Sequence, residues 1–401
     1  MAKSKKTKPK AIWLMGGGGM QRLACQKVKE RGYKLIISDM SDKCTCKALA
    51  DEFVHKDTFD IPGNLAVIDR LSKKYDIRAV LAIAADSHET AATLARRLNV
   101  HGIDPRLAHV CRYKYETRAV LTKAGIPQPK FGTATSLDEA RKLLKQVGLP
   151  AVLKSTNNAG SRGFSQILQA KDLTQAAFDH ALINGTSGKV IIEELLRPVT
   201  HELAEQSVET IWYDGKMYYL NATDRIFRKD LRLFPKVKAP GYKDLGWAVE
   251  LGHINPSVHH LEMKKKITEM IYKAGLAIGM GKQKGGHVLK ADILITNKGP
   301  YIVELTPRCS GGWDSSASSP ARHADVVGGL IELGIGKVLT LDLWKKYFEF
   351  PDPTLYSAVM TKVKMGAKDC IGREFALDTS YDRQEAIQKA YNKVRKGEFL
   401  L

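Results

Sequence analysis

The stretch from Asp292 to Gly312, Asp-Ile-Leu-Ile-Thr-Asn-Lys-Gly-Pro-Tyr-Ile-Val-Glu-Leu-Thr-Pro-Arg-Cys-Ser-Gly-Gly, constrains the fold more than any other. Two apolar runs, Ala291–Thr296 and Tyr301–Leu305, flank Asn297-Lys298-Gly299-Pro300 and predict a β-hairpin. Each strand carries one acid, Asp292 or Glu304. Burying a lone carboxylate is costly, so each acid needs a partner, and a metal ion would serve both. The second strand runs through Thr306 and Arg308 into Ser310-Gly311-Gly312, which adds a cation and flexible backbone. Two acids and an arginine on rigid strands suit a magnesium–phosphate site.

At 401 residues the chain exceeds one ordinary core and predicts two or three domains. Its 44% hydrophobic and 26% charged content is that of a soluble globular protein. No apolar run approaches a membrane helix, so no membrane partner is expected. The basic N-terminus makes a poor secretion signal. The net charge of +20 admits a polyanionic partner. The lysines are spread, however, and lack interleaved aromatics, which disfavours nucleic acid. Only the tail Lys3–Lys10 leaves that partner open. Cys25, Cys44, Cys46, Cys111, Cys309 and Cys370 have no spacing that reads as a zinc site or disulfide framework. A cytoplasmic location fits this usage.

Along residues 11–112 strands and helices alternate. Strands are expected at Ala11–Met15, Lys34–Ser38 and Ala79–Ala84, with helices after Gly16–Gly19 and over Thr90–Leu98, an open parallel α/β unit. Helices over Tyr113–Ala124 and Leu137–Val147 are punctuated by Gly125-Ile-Pro-Gln-Pro129 and Gly148-Leu-Pro150. Strand Ala151–Lys154 runs into Ser155-Thr-Asn-Asn-Ala-Gly-Ser-Arg-Gly163, whose backbone N–H groups can wrap phosphate oxygens. Further strands are read at Lys189–Leu195, Glu205–Tyr213 and Lys216–Leu220, and a helix at Ser257–Gly279. Residues 320–350 read as helical, and the tail Pro351–Leu401 as strands with a final helix. Phe227–Trp247 reads as a basic, loop-rich excursion.

In this order the pieces resemble the ATP-grasp superfamily, over roughly residues 11–370. Lys114 in Tyr113-Lys-Tyr-Glu-Thr-Arg118 and Lys154 in Ala-Val-Leu-Lys-Ser resemble its two ATP lysines. Asn158-Ala-Gly-Ser-Arg-Gly163 resembles the mobile loop over the triphosphate, implying contacts from Ser161, Arg162 and Gly163. Glu193, Glu194, Leu195 and Leu196 resemble the hinge that reads adenine. Glu205 in Glu-Gln-Ser-Val-Glu209 resembles the ribose ligand. Asp292 and Glu304 resemble the paired magnesium ligands, with Thr306 in a slot where many members carry asparagine. Arg308 resembles the residue that meets the transferred phosphate or a substrate carboxylate. Thr-Pro-Arg-x-Ser-Gly-Gly is most similar to the carbamoyl-phosphate-synthase-like, carboxylate–amine ligase branch.

The resemblance implies an α/β and α+β fold: an N-terminal open parallel α/β pre-grasp domain followed by a two-lobed ATP-grasp fold. The expected organisation is a basic flexible tail over 1–10, a pre-grasp domain over 11–112 and an ATP-grasp domain over 113–350. The small lid lobe falls at about 150–195, and 351–401 packs back on the body. The implied activity is ATP-dependent: a carboxylate is phosphorylated to an acyl phosphate and coupled to an amine, releasing ADP and phosphate. The implied cofactors are ATP and Mg2+, with Mn2+ as a substitute. Lys154 and Arg308 are the candidate catalytic residues. Arg225, Ser310, Gly311 and Gly312 are candidates for contact with the small-molecule carboxylate and amine. A homodimer is compatible with this reading. Two alternatives stand beside it: a bicarbonate-using enzyme of carboxyphosphate or carbamoyl-phosphate type, and a non-catalytic nucleotide- or nucleic-acid-binding protein.

Overall fold

The computed structural model describes residues 7–158, 162–238, 249–366 and 370–400. Its first layer is a parallel sheet of β1 (Lys10–Met15), β2 (Lys34–Asp39), β3 (Glu52–His55) and β4 (Asp76–Leu81), in the order β3-β2-β1-β4. These strands are apolar runs buried on both faces, as a helix-covered parallel sheet requires. The strand expected at Ala79–Ala84 begins earlier and ends at Leu81. Ala84 adopts a positive φ of 52°, which strand geometry does not allow.

The second layer is a small antiparallel sheet of β5 (Phe131–Ala134), β6 (Ala151–Ser155), β7 (Ser165–Ile167) and β8 (Val190–Glu194), ordered β5-β8-β6-β7. Helices Leu137–Val147 and Gln175–Ile183 complete its core through Leu144 and Phe178.

The third layer is a seven-stranded antiparallel sheet. It comprises β9 (Glu205–Tyr213), β10 (Lys216–Phe227), β11 (Glu250–Asn255), β12 (Gly286–Thr296), β13 (Gly299–Thr306), β14 (Tyr356–Met365) and β15 (Cys370–Ser380), in the order β13-β12-β9-β10-β11-β14-β15. The predicted hairpin is β12–β13, with Asp292 opposite Glu304 and Lys290 opposite Thr306. Successive strand residues point to opposite faces. Val208 and Trp212 on β9, and Leu289, Ala291 and Ile293 on β12, pack with Ile271 of helix Leu261–Ile278. The opposite face receives Glu205, Ser207 and Glu209 from β9 and Lys290 and Asp292 from β12. Where Ile211 takes over, that face is covered by helices Val326–Gly334 and Leu341–Tyr347 through Leu330 and Tyr347.

Three expected spans change. The strand ending at Leu220 continues to Phe227, because Thr223 and Asp224 are buried with hydrogen-bond partners in Asp314 and Gln206. The helix expected from Ser257 starts at Leu261, since Ser257 is held by the Ala222 carbonyl and by Gln206. The helical run over 320–350 is divided at Gly336, whose φ of 84° favours glycine.

Candidate active site

A cavity of about 590 Å³ opens between the small antiparallel sheet and the polar face of the seven-stranded sheet. Lys114, Lys154, Arg162, Glu193, Glu194, Leu195, Leu196, Glu205, Arg225, Asp292 and Glu304 all line it, so most of the predicted site residues meet there. Ser161 lies outside the described residues, as does part of the Phe227–Trp247 excursion. Gly163, Thr306, Arg308, Ser310, Gly311 and Gly312 are outside the lining.

On the small sheet, Val152 of β6 stands opposite Glu193 of β8, which puts Glu193 beside Lys154 on one face. Lys154 Nζ is 2.5 Å from Glu193 Oε2, and Arg118 Nε donates to Glu193 Oε1 at 2.8 Å. Glu193 is 2% exposed, and its carboxylate is therefore engaged by two cations. Burial pushes its pKa up, but Arg118 and Lys154 outweigh burial and hold it well below the carboxylate range. Burial lowers the Lys154 pKa against the opposing pull of Glu193. Glu194 Oε2 accepts from the Lys130 backbone N–H at 3.4 Å.

On the large sheet, Asp292 Oδ2 lies 2.6 Å from Lys290 Nζ and Oδ1 lies 3.0 Å from Arg225 Nη2. Glu304 Oε1 lies 3.3 Å from Lys114 Nζ, and Oε2 is 3.8 Å from Lys290 Nζ. Each carboxylate oxygen of the pair thus faces a cation. Burial opposes ionisation of Asp292, yet Arg225 and Lys290 hold its pKa at about 2. Arg225 also meets Glu250 at 2.8 Å, and the same balance of burial against Arg225 holds Glu250 at about 2. Glu205 pairs with Lys229 at 3.2 Å, but burial prevails and raises its pKa.

Arg308 turns to the parallel sheet's side of the site. Its Nε donates to Asp86 Oδ1 at 2.9 Å, a second guanidinium nitrogen reaches the same oxygen, and Nη1 donates to the Cys309 carbonyl at 2.6 Å. Ser310 donates its backbone N–H to Glu209 at 2.7 Å, and its hydroxyl contacts Ser207.

Several functional candidates were missed in the sequence. Arg118 pins the two sheets together, donating to Glu193 and to the carbonyls of Ile302 at 2.7 Å and Val303 at 3.0 Å. Its spacing of four from Lys114 on one helix face was the available signal. Lys290 stands two residues before Asp292, which on a strand means the same face. Glu250 and Arg373 also line the cavity but sit in no recognisable pattern.

Among the described residues, no group of three or more His, Cys, Asp or Glu is placed to hold a metal. Asp292 and Glu304 nevertheless suit a hard cation that draws its other oxygens from phosphate and solvent, the usual habit of magnesium. The buried Thr306 hydroxyl, which has no hydrogen-bond partner, adds a third oxygen on the same hairpin. The donor set fits.

No protein-family model matches the chain. It is 26% identical over 291 residues to the alanine–anticapsin ligase of Bacillus amyloliquefaciens, covering 69% of this chain and 60% of that protein. The chain spans 55–60% of the length of the first curated relatives it matches. In structure it superposes on an L-amino acid ligase from Bacillus licheniformis with a TM-score of 0.74, at 15% identity and 98% coverage of both chains. It also matches an N5-carboxyaminoimidazole synthetase from Staphylococcus aureus complexed with ADP, with a TM-score of 0.69, 17% identity and 97% coverage of both.

Proposed function

This chain has the ATP-grasp fold, and from that premise we propose that it is an ATP-dependent carboxylate–amine ligase. The observation that carries the reading is the meeting of Asp292 and Glu304 with Lys114, Lys154 and Arg225 in one cavity between two sheets. Mg-ATP, when bound, supplies the phosphoryl group that activates a substrate carboxylate. That carboxylate becomes an acyl phosphate with loss of ADP, and an amine then displaces phosphate to form the C–N bond.

The chain's own groups bind, orient and neutralise. Asp292 and Glu304 would hold the divalent ion, and Thr306 offers a neutral oxygen on the same face of the hairpin. Lys114 and Lys154 are compact charges for phosphate oxygens. Arg162 and Gly163 belong to the loop that covers the phosphates, and Ser161 is assigned to it by sequence alone. Glu193 sets Lys154, while Glu194, Leu195 and Leu196 form the adenine edge and Glu205 the ribose contact. Arg225 and Arg308 meet anionic groups of the acceptor half, beside Ser310, Gly311 and Gly312. Catalysis here is positioning and charge stabilisation without a protein nucleophile. Closure of the cavity would keep water from the acyl phosphate.

The test is ADP release across a panel of carboxylic acids and amines, with mass spectrometry of the product. ADP formation that requires both an acid and an amine, with a condensed product, is the expected result. ADP release with bicarbonate alone would move the reading to a carboxyphosphate-forming enzyme. Nucleotide binding without turnover on any pair would remove the ligase assignment.

A further inference from the structure

We propose that Lys290 is a resident cation of the phosphate site, standing where a second divalent ion would otherwise bind, so that nucleotide brings one divalent ion and not two. The inference rests on the phosphate-site reading given above. Its basis is a single ammonium shared between both acids of the hairpin. Lys290 Nζ lies 2.6 Å from Asp292 Oδ2 and 3.8 Å from Glu304 Oε2.

Anchorage separates Lys290 from the other cations. Its side chain is 2% exposed, against 14% for Lys114 and 20% for Arg225. Lys114 reaches in from a helix and Arg225 from β10, and each also binds a group outside the acid pair, the Asn158 carbonyl and Glu250 respectively. Lys290 shares strand β12 with Asp292, and its stem is enclosed by the sheet.

The oxygens a second ion would need lie on the same side as the lysine. Thr306 is opposite Lys290 in register, 3% exposed, and its hydroxyl has no partner. A divalent ion between Thr306 and Glu304 would sit beside the buried Lys290 ammonium, and like charges so close repel strongly in a partly buried site. With Lys290 in place, the two carboxylates already carry one resident positive charge before any divalent ion arrives.

The experiment is a Mn(II) titration of the full chain with a saturating non-hydrolysable ATP analogue, reading free Mn(II) by electron paramagnetic resonance. One Mn(II) per chain is expected for the wild type and for Thr306→Asn, which adds a donor but keeps the lysine. Two are expected for Lys290→Ala and Lys290→Met, the second variant keeping the buried stem filled. Two equivalents in the wild type or in Thr306→Asn, or one in a folded Lys290 variant, would overturn the proposal. Binding of the analogue is measured in the same samples. Its failure to bind the wild type would instead remove the underlying phosphate-site reading.

Discussion

At the residue scale the site is an exercise in charge held in place. Glu304→Ala should reduce ADP release to background while circular dichroism and thermal unfolding stay close to wild type, because Glu304 is partly exposed. Residual turnover near the wild-type rate would contradict the proposed metal role. Lys154→Ala and Arg118→Ala should separate cleanly, although both touch Glu193. Removing Lys154 leaves Glu193 paired with Arg118, so the expected loss is in nucleotide affinity, about 10- to 100-fold for a charge-assisted contact of about 1.5–3 kcal/mol. Removing Arg118 strips a buried carboxylate of its closest guanidinium and frees the Ile302 and Val303 carbonyls, which should cost about 3–5 kcal/mol in urea unfolding. Glu209 offers a pH test. Burial first, and then Asp314, push its carboxyl up to about 8. Its folded pKa exceeds its unfolded one, so the folded state binds the extra proton. Its stabilising contribution is complete below about pH 4 and is lost as pH rises through about 8. Glu209→Gln should flatten the decline in thermal stability between pH 6 and 9, and an unchanged slope would show that Glu209 is not the group responsible.

At the element scale the sheet and its helix meet through a glycine. A Cβ on Gly275 would lie 2.2 Å from Trp212 Cζ2, and Trp212 is fully buried. Gly275→Ala should gain helix propensity yet lose about 1–3 kcal/mol from overpacking, a net destabilisation measurable by denaturant unfolding. The hairpin was legible in the sequence because Asp292 and Glu304 interrupt apolar runs around a turn. The lysines Lys114 and Lys154 were legible because each borders a helix start or a glycine loop. Elements whose buried residues are polar were not. β10 seemed to stop at Leu220 because Asn221, Thr223 and Asp224 look solvent-facing, and only their partners across the sheet make burial affordable. β11 escaped notice for the same reason: Glu250, which lines the cavity, and the buried His253 and Asn255 are satisfied by Arg225, Ser318 and Arg322. Lys290 was overlooked: its place two residues before Asp292 puts it on the same face, but only the register with Glu304 and Thr306 shows that it faces both acids.

At the scale of the whole molecule, the parallel sheet is tied to the hairpin by Asp86 and Arg308, and to the C-terminal half by Arg31 and Glu332 at 2.7 Å. Asp86→Ala leaves the 7%-exposed Arg308 without its carboxylate and should lower global stability by about 2–4 kcal/mol. A loss confined to substrate affinity would mean that the pair serves the site and not the frame. No helix among the described residues is long and apolar enough to cross a membrane. Finally, the sheet that carries the site is completed out of chain order. β11 runs between β10 and β14, so its outer edge has no partner until Tyr356–Met365 has been synthesised about a hundred residues later. On the ribosome the sheet that carries the candidate site therefore waits with this edge open while about a hundred residues are added, roughly a quarter of the chain. Its vulnerability is to nascent-chain aggregation before the cavity is complete.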